Sequence, residues 1–208
     1  MSEFQILQTV ALASLLAWAS GLRLYLVVFV VGLAAHFGYV TLPDGLKVLA
    51  HPYVIGAAGV LLALEFLADK FPGLDSAWDA VHTFIRIPAG ALLAAGATGD
   101  TLSALTVAAG LLGGTITAGT HFMKAGSRAV INTSPEPVSN WTASFTEDAM
   151  VLGGIWLAFA YPWVFIALLI LFLAFAAWLL PKLFRFVKRM WIALSLPREP
   201  VKLGSDPN

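Results

Sequence analysis

The sequence predicts an all-α fold: a polytopic helical membrane protein of about six transmembrane helices. Three observations carry that reading. The 208 residues are 59% hydrophobic and only 12% charged, with a mean hydropathy of +0.84, whereas soluble domains carry roughly 25% charged residues. The apolar residues fall in long runs, and a membrane helix needs about 20 of them. The charges that remain are bunched into a few short stretches. A surface so poor in charge is expected to meet lipid. The formal net charge is zero, which argues against a nucleic-acid partner. There is no cysteine, so disulfides, thiolate metal sites and cysteine nucleophiles are excluded. The opening MSEFQILQTVALASLLAW lacks the basic start of a signal peptide and reads as a retained membrane helix.

Six apolar segments follow in order. The first runs from about Phe4 to Ala35 and is interrupted near Ser20-Gly21-Leu22-Arg23. The second covers about Tyr53 to Ala68, and the third about Ala80 to Ala97, with Pro88 inside it. The fourth, about Leu102 to Met123, is rich in glycine; Gly110 and Gly114, with Gly113 and Gly119, suit close helix packing. Ala149 to Leu180 is one continuous apolar run. As a single helix it would be roughly 48 Å long against a hydrocarbon core of about 30 Å. Tyr161-Pro162-Trp163 sits in its middle. Proline breaks the hydrogen-bond ladder, and Tyr and Trp favour the membrane interface. The run is therefore read as two helices joined by a tight turn, the fifth starting near Glu147. A single kinked helix is the alternative.

Charge then orients the chain. The C-terminal tail carries Lys182, Arg185, Lys188, Arg189, Arg198 and Lys202. The positive-inside rule places it in the cytoplasm. Six crossings put the N-terminus there as well, so both termini are expected to be cytoplasmic, in a cell inner membrane. Residues 1–181 form the transmembrane domain. Residues 182–208 form a basic tail, amphipathic and then disordered, whose KLFRFVKRMW stretch suits a surface helix at anionic headgroups. Loose matches between the two halves, such as Ala19-Ser20-Gly21 with Thr117-Ala118-Gly119, suggest two inverted three-helix repeats. Glycine is common in membrane helices, so chance explains the matches equally well.

The stretch EFLADKFPGLDSAWDAVHTFIR concentrates Glu65, Asp69, Lys70, Asp75, Asp79, His82 and Arg86. Asp75, Asp79, His82 and Arg86 are spaced i, i+4, i+7, i+11, one continuous helix face. Glu65 and Asp69 share a face in the same way. Pro72-Gly73 between them lets the chain turn back, so the two stripes can face each other. A charge in lipid costs several kcal/mol, at least ~2.5, so Arg86 should point inward and pair with a carboxylate. Asp75 or Ser76 serves equally well as a simple helix cap.

A second, basic set follows: His121, Lys124 and Arg128, spaced i, i+3, i+7. After it, Asn132 to Asn140 reads NTSPEPVSN, an ordered loop by composition, with Glu136 inside it. Ser144 to Glu147 fits a capping box opening the fifth segment. Lys70, Lys124 and Arg128 also serve simply to set topology, and His36 and His51 lie near a loop. Arg23, inside the first segment, needs an interior partner whatever its role. No P-loop, HExxH zinc motif or GxSxG elbow occurs. His82 and its neighbouring carboxylates have donors for a cation, but their spacing is specific for no metal.

Three pieces carry a family resemblance: ASGLRLYL near the N-terminus, FLADKFPGLDSAWDAVHTFIRIPAGALLAAGA, and HFMKAGSRAVINTSPEPVSN followed by FTED. On these the chain resembles an uncharacterised bacterial membrane family catalogued as domain of unknown function 4126, over most of residues 10–180. The resemblance implies a multi-pass membrane protein and no particular activity.

The expectation is membrane transport or conduction of a small ion or charged solute through an intramembrane charged site. Glu65, Asp69, Lys70, Asp75, Asp79, His82 and Arg86 would supply one half of it. His121, Lys124, Arg128, Asn132, Glu136 and Asn140 would supply the other. Ion pairs that can exchange partners make a two-state gate. The alternatives are a lipid-handling protein, whose basic stripe meets a phosphate headgroup, and a structural or assembly factor. No enzyme is expected, because no nucleophile and base stand together, and no cofactor. The partners expected are the bilayer and the small ion or solute. Glycine-rich faces permit a homo-oligomer.

Overall fold

In the computed structural model, residues 2–71, 73–99, 103–133 and 137–195 are described. All regular structure among them is helical. The order is α1 (Glu3–His36), a short 3-10 helix (Asp44–Ala50), α2 (Pro52–Ala68), α3 (Leu74–Gly96), α4 (Ala104–Ile131), α5 (Pro137–Ala160) and α6 (Pro162–Ser195).

The molecule is inside-out relative to a soluble protein. Arg23, Arg86 and Arg128 are among its largest fully buried side chains. Phe84, Leu92, Leu111, Trp156, Trp163, Leu171, Phe175 and Trp178 are exposed. Water would penalise both arrangements, and lipid outside a polar core favours both. By length and apolarity, α1 and Pro162–Ile192 can cross a membrane, and the 3-10 helix with α2 forms a further candidate bent by 66°.

α1 is the centre of the fold. Thirteen consecutive residues, Leu15 to Val27, are buried. The Ser2 side chain accepts from the Gln5 amide and the Gln5 side chain accepts from the Ser2 amide, so the helix opens on a capping box. Straight, its 34 residues would span roughly 51 Å. Its first turns nevertheless lie beside the chain just past its last turn: Gln5, Gln8 and Leu12 line one cavity with Tyr39, Thr41 and Pro43. The helix folds back on itself, and the break is at Arg23, the one residue inside it with non-helical dihedrals (φ −145°, ψ 71°). The interruption expected near Ser20 to Arg23 is thus real, and it is a reversal of direction.

The remaining helices wrap this V. α3 and α4 run antiparallel and close, with Gly113 against Ala94 and Gly114 against Ala91. Gly113 and Gly114, with Gly110 beside Ala91 and Ala95, therefore serve helix packing, as expected, whereas a Cβ on Gly119 would meet nothing within 4 Å. Above the break the packing is tightest. A Cβ added to Gly21 would overlap Thr120 Oγ1 and lie 2.6 Å from the Thr117 carbonyl oxygen, and one added to Gly90 would overlap Thr117 Oγ1. Trp18 packs edge-on against Phe165 and Phe172, which ties α6 to the first arm of α1.

Several boundaries differ from expectation. The long apolar run does divide at Tyr161, with Pro162 opening α6, where its missing N–H costs nothing. But α5 begins at Pro137, not near Glu147. Proline at the first helical position favours that start, and a buried face of Asn140, Ser144 and Val151 continues it. Ser144 and Glu147 are therefore helix interior and not a capping box. Of the Asn132–Asn140 stretch expected as a loop, residues 134–136 lie outside the described residues, and residues 137–140 are helical because α5 begins at Pro137. α3 begins at Leu74, six residues earlier than expected, with Gly73 (φ 88°) as its N-cap. The caps proposed at Asp75 and Ser76 are not made; Asp75 Oδ1 instead accepts from the Ser76 amide at 2.5 Å. α6 continues past Leu180 to Ser195, so residues 182–195 prolong α6 rather than forming a separate helix.

Candidate functional site: a buried charge network around the break in α1

The break brings Arg23 to the meeting point of α2, α4 and α5. Its guanidinium is fully buried. Nη1 contacts Asp69 Oδ2 directly and lies 3.8 Å from Glu65 Oε1. Nε lies 2.8 Å from Asp148 Oδ1 and 3.5 Å from Glu147 Oε2. Nη2 donates to the Ser144 hydroxyl at 2.7 Å and to the Ser144 carbonyl at 3.1 Å. Burial of a lone guanidinium is costly, so these six acceptor oxygens, from five residues, are what hold α1 bent here.

Arg86 ties α3 into the same network without any break in that helix. Its Nη2 pairs with Glu65 Oε1, and its Nη1 donates to Asp79 Oδ1 at 3.0 Å. The expected inward turn and carboxylate pairing of Arg86 are both seen. The i, i+4, i+7, i+11 face is buried throughout: Asp75, Asp79, His82 and Arg86 all point inward. It extends roughly 16 Å along α3.

The basic stripe of α4 faces it. His121 shares a hydrogen bond of 2.7 Å with Thr83 Oγ1 and lies 3.4 Å from Arg86 Nη1. Arg128 Nη1 donates to the Asn140 carbonyl and amide oxygens, and its Nη2 lies 3.1 Å from Glu147 Oε2. Asn132 donates to Asp75 Oδ1 at 2.9 Å and accepts from Asn140 Nδ2 at 2.8 Å. His82 is less part of the ionic set. It stacks on Trp78 and hydrogen-bonds with Tyr25 Oη at 2.9 Å. Lys70, in the turn after α2, donates to Ser144 Oγ at 3.1 Å and lies over the Phe66 and Phe145 rings. Burial against those rings, with the nearby Arg23 charge, holds its ammonium below the usual lysine range. Glu136 lies outside the described residues.

All the remaining expected site residues therefore gather at one end of the bundle, between α1, α2, α3, α4 and α5. Five further members were not assigned to the site from sequence: Arg23, Tyr25, Ser144, Glu147 and Asp148. Asn140, Ser144 and Glu147 are spaced i, i+4, i+7, the same signal that marked α3 and α4, but reading Ser144 as a cap concealed it.

Five carboxylates keep one buried oxygen without a hydrogen bond: Glu65 Oε2, Asp69 Oδ1, Asp75 Oδ2, Asp79 Oδ2 and Glu147 Oε2. Asp75 Oδ2 and Glu147 Oε2 still meet Arg128 as ion pairs, whereas in Glu65, Asp69 and Asp79 the cations gather on the other oxygen. The network therefore keeps spare acceptors. Among the described residues no three His, Asp or Glu side chains converge closely enough to hold a metal ion.

The network lies within residues 10–182, which match the family model described as a domain of unknown function, DUF4126. The chain belongs to the DUF4126 family. The match includes every residue of the network, from Arg23 on α1 to Asp148 on α5. The DUF4126 description states no activity. No curated protein and no solved structure matches the chain.

Proposed function

We propose that this is a multi-pass inner-membrane protein that conducts or carries a small ion or charged solute, with the buried network as its site. One observation carries the reading: eleven charged side chains gather at the break in a helix, and three of their carboxylate oxygens meet neither a hydrogen-bond donor nor a cation. A network that only held helices together would gain from closing every pair, because an unpaired buried acceptor destabilises the fold. Broken helices that turn toward polar groups at membrane depth are a recurring way to build an ion site. Here Lys124 and Arg23 are presented to several carboxylates at once, so partner exchange needs only small movements. The tight Gly21–Thr120 and Gly90–Thr117 contacts close the far side, which supports an occluded state open to one face at a time.

The topology we propose has five crossings, α2 to α6, with α1 entering and returning as a re-entrant pair. The ends of α1 lie away from the charge network, and the basic end of α6 lies toward it. With the basic end cytoplasmic, the N-terminus falls on the opposite face. This replaces the six-crossing arrangement with both termini inside.

The test is flux into proteoliposomes across cations, anions and protons, with Arg86→Gln as the control. Flux that the substitution abolishes in protein that still folds supports the proposal. Absence of flux for every ion, in protein shown to be folded and inserted, sinks it. A second reading has its own observation: a cleft of about 570 Å³ between α4 and α5 is lined by Lys124 and Glu147 along with Met123 and Met150. An opening toward lipid beside a lysine suits a phosphate headgroup. Retention of anionic lipid through delipidation, without ion flux, would favour it.

A further inference from the structure

Lys124 is held differently from the arginines. Its ammonium is surrounded by five oxygens from four elements: the Leu22 carbonyl at 3.1 Å, Glu65 Oε1 at 3.4 Å, Glu147 Oε2 at 3.4 Å, Asp79 Oδ1 at 3.7 Å and Asp69 Oδ2 at 3.9 Å. Charge-assisted hydrogen bonds to carboxylates run about 2.7–2.9 Å. All four carboxylates exceed that, so the ammonium is caged without being clamped. The fifth oxygen belongs to the carbonyl just before the break in α1, to which the Lys124 ammonium donates.

The same residue lines the cleft between α4 and α5, with Ser127, Thr142 and Thr146. Its four-carbon stem is long enough to swing there and flexible enough to do so. The charge count also leaves room for a cation. Glu65, Asp69, Asp75, Asp79, Glu147 and Asp148 face Arg23, Arg86, Lys124, Arg128 and Lys70, which leaves one negative charge. Three of those carboxylates keep a buried oxygen that meets neither a hydrogen-bond donor nor a cation.

We propose that Lys124 is the resident occupant of a cation site, and that a monovalent cation of ammonium size displaces its ammonium into the α4–α5 cleft. The ligand class is ammonium, a primary alkylammonium or potassium. The cage already encloses an ammonium, with oxygens 3.1–3.9 Å from the nitrogen, so an ion of that size needs only a small inward movement of the carboxylates to reach contacts of about 2.7–2.9 Å; a small divalent ion demands oxygens at roughly 2.0–2.6 Å. The inference rests on the transport reading for its purpose, but its test reads binding and not flux, so each can fail alone.

Lys124→Ala and Lys124→Met empty the cage without altering its oxygens. The thermal midpoint of each variant is measured in detergent at constant ionic strength with ammonium, methylammonium, potassium, sodium, magnesium or choline chloride. Ammonium and methylammonium at ten times their Kd are expected to raise the midpoint by about 3–6 °C over choline. Adding Glu65→Gln should abolish the rise. Potassium acting as well as ammonium shows selection by size within the class. Equal midpoints in ammonium and choline, or a larger effect of magnesium, overturn the proposal. The wild-type protein supplies an independent arm. Potassium in place of choline should speed reductive methylation of Lys124 several-fold, read by mass spectrometry, because displacement brings the amine into the cleft. An unchanged rate overturns the proposal even where neither variant folds.

Discussion

Replacing Arg23 with methionine tests whether the network holds α1 bent. Methionine keeps an unbranched apolar stem and removes the guanidinium. Arg23 is fully buried, touches Asp69, lies 2.8 Å from Asp148 and donates twice to Ser144. Removing one partner of a buried ion pair costs about 3–5 kcal/mol, because the surviving charge is left uncompensated. Glu147 retains Arg128 at 3.1 Å and Lys124 at 3.4 Å. Glu65 retains Arg86. Asp69 keeps only Lys124 and Arg128, each at 3.9 Å, so the loss falls on Asp69 and Asp148. For a chain of this size each kcal/mol moves the midpoint by about 2–4 °C, so Arg23→Met should melt about 6–20 °C lower in detergent. Adding Asp69→Leu removes the stranded charge nearest the break, and should return about half of the deficit, with Asp148 keeping the rest. A fluorescence-detected thermal scan of the single and double variants reads both. A single variant within about 2 °C of wild type would refute a dry, paired guanidinium. A double variant no better than the single would refute Asp69 as its main partner.

Other outcomes follow from the packing and the topology. Gly21→Ala should destabilise by about 1–3 kcal/mol through overpacking against Thr120 and the Thr117 carbonyl. Gly119→Ala, where a Cβ meets nothing within 4 Å, should instead stabilise by about 0.5–1 kcal/mol; thermal midpoints of the pair check both signs. Lys70 releases its proton at lower pH than an ordinary lysine, because burial disfavours the ammonium. Its rate of acetylation should therefore rise at lower pH than that of a lysine in a short unstructured peptide, as followed by mass spectrometry, and Phe145→Ala should close the gap. The sequence has no cysteine, so single cysteines report sidedness cleanly. Ser2→Cys and Ser76→Cys are expected to label from opposite faces of sealed vesicles with a membrane-impermeant maleimide. Labelling from the same face would restore six crossings.

The comparison of sequence with structure separates two kinds of information. Periodic spacing is local, and it was legible. Asp75, Asp79, His82 and Arg86 were readable as one face because a helix repeats every 3.6 residues, and the structure buries all four. The same holds for His121, Lys124 and Arg128. Too few charges for a watery surface implied a membrane, and Pro162 marked the division between α5 and α6. What failed were the places where a local pattern had a tertiary competitor. Ser144 and Glu147 have the spacing of a capping box, but Arg23 and Arg128 claim their oxygens and the helix runs on through them.

The sequence by itself determined that this chain is helical, that its charges are grouped on three helix faces, and that Arg23 needed an interior partner. Only the tertiary structure decided which partners met. The break at Arg23 puts the ends of a 34-residue helix at the same end of the molecule. That reversal is set by acceptors 42 to 125 positions away, Glu65 through Asp148. A buried charge selects whatever backbone path lets its partners reach it, and no window of sequence contains both the charge and its partners.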